Sequence, residues 1–126
     1  FNLVNVTRPI AGVLAQYIVA ATLKLPVKAI IFDTCSGRTG RYLAEFRPKV
    51  PIYAMCYNSY TMRELALTYD TYCYPFTVTG TKEGFVENSL KILQKDGKVS
   101  KGDLVAFIGG SFSDEIGATY MEFIYV

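Results

Sequence analysis

The segment Asp33-Thr-Cys-Ser-Gly-Arg-Thr39 brings hydroxyl and thiol side chains, a glycine and an arginine together within seven residues. It follows an apolar run and precedes a stretch with helical spacing, so it reads as a strand-to-helix junction. Free backbone N–H groups and the helix dipole at such a junction favour an anion. Thr34, Cys35, Ser36 and Thr39 add donors, Gly37 lets the backbone come close, and Arg38 sits beside it. The composition predicts phosphate binding. The plainer reading is that Ser36 and Thr39 cap the helix while Arg38 points into water.

The same residues fit a second chemistry. Cys35 to Arg41 has the spacing C-x5-R, the signature of cysteine-dependent phosphatases. There a thiolate at a helix N-terminus attacks phosphorus and the arginine holds the phosphate oxygens, the helix end lowering the thiol pKa. Thr34 stands where those enzymes usually carry a histidine, and a general acid would have to come from Asp70, Asp96, Asp103 or Asp114.

Composition narrows the field. With no histidine, the commonest general base and metal ligand and every Ser-His-Asp or Cys-His arrangement are missing. Thirteen basic and eleven acidic side chains give a net charge of +2, no footprint for nucleic acid or an anionic membrane. The stretch from Ile10 to Leu25 is interrupted by Gln16, Thr22 and Lys24, short of the roughly 18 apolar residues of a membrane span. Cys35, Cys56 and Cys73 are too widely spaced for a C-x-x-C pair and odd in number, which predicts free thiols in a reducing cytoplasm. The 126 residues suit one domain, 1–126, and the opening Phe1 in place of Met suggests a processed chain or a piece of a longer one.

The elements that would position the loop follow from the pattern. Thr7-Arg8-Pro9 starts a helix expected to reach about Leu25, before Pro26. Lys28–Thr34, Ile52–Cys56, Thr71–Phe76 and Asp103–Ile108 are short apolar runs, and continuous rather than alternating hydrophobicity marks strands buried on both faces. Helices are expected over Thr39–Phe46, from Asn58 or Ser59 to about Tyr69 with Met62, Leu65 and Ala66 inward, and from Thr81 to Gly97. The long helix carries Phe85, Val86, Leu90, Ile92 and Leu93 as its stripe. Gly109 to Gly117 reads as a loop, and Ala118–Val126 as a last strand. Alternating strands and helices predict an α/β fold, a three-layer αβα sandwich on a five-stranded, mostly parallel sheet. The final strand-loop-strand step is too short for a crossover and predicts an antiparallel C-terminal edge strand.

The stretch KAIIFDTCSGRTGRYLAEFRPKVPIYAMC resembles the C-terminal α/β domain of pyruvate kinases, where a strand leads into T-x-S-G-x-[TS], a helix and [YF]-R-P-x-x-P-I-x-A. The matching residues are Thr34, Ser36, Gly37, Thr39, Phe46, Arg47, Pro48, Pro51, Ile52 and Ala54. Tyr72-Cys-Tyr-Pro75 is similar to the family's G-V-Y-P strand, Lys101-Gly-Asp103 to its K-G-D strand start, and Gly117-Ala-Thr119 to its closing G-T-T-N. The resemblance implies a parent enzyme that transfers phosphate from phosphoenolpyruvate to ADP with Mg²⁺ and K⁺, in a separate (β/α)₈ barrel that this segment lacks. It implies that the domain binds an allosteric sugar phosphate and forms one interface of a cytoplasmic homotetramer. Thr34, Cys35, Ser36 and Thr39, with the Gly37 and Arg38 backbone, would line the phosphate pocket, and the loop with Ser111, Ser113 and Gly117 would fold over the sugar, near Lys82.

The departures carry information. Bisphosphate-responsive members often hold the second phosphate with a basic residue on the long helix; here Phe85 stands near that position, with only Lys82 close. Asp114 and Glu115 make the closing loop acidic, unfavourable beside a second dianion. The expectation is a monophosphate effector, or none, and a free-standing phosphate-binding module is a further alternative. Arg47 is expected to tie its turn to a carbonyl or carboxylate, Arg63 and Glu64 to lie on a solvated face, and most of the ten tyrosines to sit in the core. Tyr120, Phe123 and Tyr125 are expected on a partly exposed edge strand, open to pairing with a second copy.

Overall fold

The computed structural model describes residues 10–34, 37–109 and 120–126. The elements in order are α1 (Ile10–Ala21), β1 (Val27–Thr34), α2 (Arg38–Glu45), β2 (Ile52–Cys56), α3 (Ser59–Leu65), β3 (Thr71–Pro75), α4 (Lys82–Lys95), β4 (Leu104–Gly109) and β5 (Tyr120–Tyr125). The strands form one sheet in the order β3-β2-β1-β4-β5. The first four are parallel, and β5 runs antiparallel along β4, pairing Leu104 with Tyr125 and Gly109 with Tyr120. The expected αβα architecture and its antiparallel edge are therefore present.

The continuous apolar runs are explained by two cores. Ile30 and Phe32 of β1 enter the core that also holds Ala15, Ile18, Leu43 and Leu65 from α1, α2 and α3. Ala29 and Ile31 enter the opposite core, with Phe85 and Leu93 of α4. A strand buried on both faces has no polar alternate position to offer. The α4 side is built on aromatic edges: Phe76 meets Phe85, and Phe85 meets Phe107, with centroids 5.8 and 5.5 Å apart and rings nearly perpendicular.

Several expectations are corrected. Helix α1 ends at Ala21, four residues early, because Thr22 turns its hydroxyl onto Val19 O at 2.6 Å and the next amides close tight turns. Helix α3 ends at Leu65; Ala66 faces solvent, Leu67 is 99% exposed, and Thr61 takes the inward place. Arg47 finds an aromatic face in place of an oxygen, its guanidinium lying 4.9 Å from the Tyr69 ring centroid. Half of the tyrosines, namely Tyr17, Tyr60, Tyr69, Tyr72 and Tyr125, are exposed rather than in the core.

The two sheet edges differ in what their backbones offer. In β3, Asp70 O and Phe76 N bond to β2. Alternation then turns Thr71, Cys73 and Pro75 outward, and Pro75 has no N–H to give. In β5, Val126 bonds inward to Asp103, so Met121, Phe123 and Tyr125 turn outward, each with a donor and an acceptor.

Candidate functional site

The parallel strands deliver the ends of β1, β2 and β3 to one rim of the sheet, the usual ligand rim of open α/β folds. At the end of β1, Thr34 is buried, and its Oγ1 accepts the Gly37 N–H at 2.6 Å. That bond closes a turn with Gly37 in the left-handed region, φ +82°, as the N-cap of α2. A glycine cap has no side-chain acceptor, and no acidic residue stands in the first turn of α2. The first-turn N–H groups thus meet no carboxylate of their own helix, which is the arrangement an anion needs. Thr39 is buried inside this turn and is not the cap. Gly40 lets α2 sit tightly on β1, since a Cβ there would lie 2.7 Å from Phe32 Cζ. Arg38 and Arg41 are exposed beside the turn. Cys35 and Ser36 lie outside the described residues, as do Ser111, Ser113, Asp114, Glu115 and Gly117.

On the α4 side of the rim the structure gathers charges that pattern reading missed. Asp33 is 2% exposed, and its Oδ2 accepts the Tyr57 O–H at 2.6 Å. Lys82 pairs with Glu122 at 3.3 Å and lies 5.8 Å from the Tyr120 ring centroid. Burial, then the Asp33, Glu122 and Glu83 carboxylates, push the Tyr120 hydroxyl well above the ordinary tyrosine range. The signal for Asp33 was a charged residue inside an apolar strand run. Phe85 is fully buried, so that position of α4 belongs to the core and reaches no ligand.

Three of the four acids open to the phosphatase reading stand elsewhere. Asp70 precedes β3, Asp103 precedes β4, and Asp96 closes α4 on its way to β4. All three lie away from the rim that holds the β1–α2 turn, and Asp114 lies outside the described residues. Among the described residues, no group of three or more Cys, Asp or Glu side chains is placed to hold a metal ion. Among them also, no helix is long and apolar enough to cross a membrane.

A family model described as pyruvate kinase, alpha/beta domain, matches residues 13–122. The chain belongs to the pyruvate kinase family. The pyruvate kinase of Geobacillus stearothermophilus is 31% identical over 117 residues, which cover 93% of this chain and 20% of that protein. That of Borreliella burgdorferi is 37% identical over 106 residues, covering 81% and 22%. The crystal structure of a pyruvate kinase from Cryptosporidium parvum superposes with a TM-score of 0.80 at 20% identity, over 92% of this chain and 22% of that one. The chain thus spans about a fifth of the length of the pyruvate kinases it matches.

Proposed function

We propose that residues 1–126 are the effector-binding and assembly domain of a pyruvate kinase, with phosphoryl transfer from phosphoenolpyruvate to ADP carried out elsewhere in the parent protein. Mg²⁺ and K⁺ belong, in this reading, to that catalytic part. The observation that carries the proposal is the β1–α2 turn, with Thr34 buried beneath it, Gly37 at positive φ and no carboxylate in the first turn of α2. Thr34, Cys35, Ser36 and Thr39 bind one phosphate, helped by the Gly37 and Arg38 backbone; Ser111, Ser113 and Gly117 close over the sugar. Lys82 contributes little to a second phosphate, since Glu122 already holds its ammonium. The ligand is accordingly a sugar monophosphate.

Assembly has its own support. Helix α1 is apolar nearly all round, yet Ile10 and Tyr17 are about 60% exposed, and such a helix wants cover on both sides. It packs across β4 and β5, so its outer face continues into the free edge of β5. A second copy paired there gives the homo-oligomer, a homotetramer in the parent enzyme, working in the cytoplasm with no nucleic-acid or membrane partner.

Thermal unfolding against sugar monophosphates, bisphosphates, AMP and inorganic phosphate tests the effector claim. A ligand at one hundred times its Kd raises stability by about 2.7 kcal/mol. A shift with a monophosphate that disappears in Gly37→Ala supports the site; no shift with any compound leaves assembly as the role. Sedimentation at several concentrations, with Phe123→Lys as the control, tests assembly.

A further inference from the structure

Cys56 ends β2 and Cys73 lies in the middle of β3. The ladder pairs Ala54 with Cys73 and Cys56 with Pro75, so the two cysteines are diagonal neighbours on adjacent strands. Both belong to the core that α3 covers. The Cys56 S–H donates to Ala54 O, the residue that pairs with Cys73, at 3.8 Å. They are nonetheless free thiols.

Strands ~4.8 Å apart with a two-residue rise of ~6.6 Å put diagonal Cα atoms ~8 Å apart. A disulfide needs them within about 7 Å, so closing the pair would drag β2 against β3. A metal ion is a longer bridge. Two metal–sulfur bonds of about 2.3 Å, taking the zinc–thiolate length, set the sulfurs ~4.6 Å apart when the ion is two-coordinate and linear. Thiols that share one face of adjacent strands and one core reach that spacing by side-chain rotation.

Charge selects among ions. Cys56 is buried, and burial with the neighbouring thiol pushes its pKa up to about 12, so an isolated thiolate is disfavoured there. Two thiolates on a monovalent ion would leave a net negative charge in an apolar setting, whereas a divalent ion gives a neutral complex. An ion that demands four ligands lacks them among the described residues. Access exists: half-buried Cys73 lines a groove of about 500 Å³ with Met62, Tyr72 and Tyr74, and the Met62 thioether adds a soft donor to its wall.

We propose that Cys56 and Cys73 form a two-sulfur site for a soft divalent cation of linear preference, with Hg(II) as its probe. Two S–H bonds break, two sulfur–metal bonds form, and two protons leave to solvent; no electrons are transferred. The ion ties β3 to β2 across the sheet.

The test uses the 126-residue chain carrying Cys35→Ser, which leaves only these two thiols. Titration with Hg(II) is followed by the thiolate-to-metal absorption band, by thiol counting with an aromatic disulfide, and by the thermal midpoint. The expected result is saturation at one ion per chain, loss of both thiols together and a raised midpoint. With Cys73→Ser added, affinity falls at least ~100-fold because the chelate is lost, and the midpoint no longer rises. Saturation at two ions per chain, a lowered midpoint, or unchanged affinity with Cys73→Ser would overturn the proposal. The stoichiometry is read without altering buried Cys56, so it stands apart from any folding defect of a variant.

Discussion

The β1–α2 and β2–α3 junctions lie side by side on one rim and begin helices in opposite ways. At β2–α3, Asn58 caps α3, its Oδ1 accepting the Thr61 N–H at 2.7 Å. The β3–α4 junction does the same with Thr81, which accepts from Gly84 N at 3.0 Å, and it adds Glu83 in the first turn. At β1–α2 the cap is Gly37, and the hydroxyl that stabilises the turn, Thr34, comes from upstream and bonds the cap's own N–H. Side-chain caps answer the helix's orphan amides from within. The α2 turn is instead shaped from below, by the buried Thr34 hydroxyl. Two of the three junctions are therefore closed by a side-chain cap, and the third is not.

This contrast can be broken at its strongest point first. Gly40→Ala drives a methyl to 2.7 Å from Phe32 Cζ, a ring fixed in the core. It should cost up to about 3 kcal/mol in denaturant unfolding, as overpacking does, and lift α2 off β1. Thr34→Val leaves the Gly37 N–H without its buried acceptor. The expected loss is about 2 kcal/mol, accompanied by disappearance of any phosphate-dependent thermal shift. Asn58→Ala should cost about 1 kcal/mol, the usual worth of a cap, while the phosphate-dependent shift stays intact. Thr81→Ala, at an exposed cap, should cost about 0.5 kcal/mol, the low end of the same range, again without touching phosphate binding. If Asn58→Ala or Thr81→Ala abolished the phosphate shift, or Thr34→Val spared it, the contrast between the junctions would carry no function.

The strands were legible because burial on both faces leaves a strong mark. Ile52–Cys56 was read to the residue, and Lys28–Thr34 missed only Val27. Helix ends were less legible, because an apolar residue after a helix looks like another turn of it. Ala66 extends the stripe of α3 in the sequence pattern, yet the chain turns at Thr68, whose N–H reaches Leu65 O, and Asp70 adopts φ +43°. The loop chemistry of the β1–α2 turn was legible in residue type. Its capping was not, because Gly37 was read for close approach and Thr39 for its hydroxyl, while the φ of +82° that makes Gly37 the cap is a tertiary outcome. Tyr57 was invisible as a partner for Asp33, being 24 residues away in sequence and one strand away in space.

Pro75 has a further consequence at the scale of assemblies. A sheet with two willing edges can add neighbours without end, as fibres do. Here β5 presents three outward residues with both hydrogen-bonding groups, while β3 spends one of its three outward places on a proline. Two chains joined β5 to β5 about a two-fold axis would expose only β3 at either end of a ten-stranded sheet, twice the five of one chain. Growth would stop there, so the order of residues along one short strand favours closed symmetry over open polymerisation.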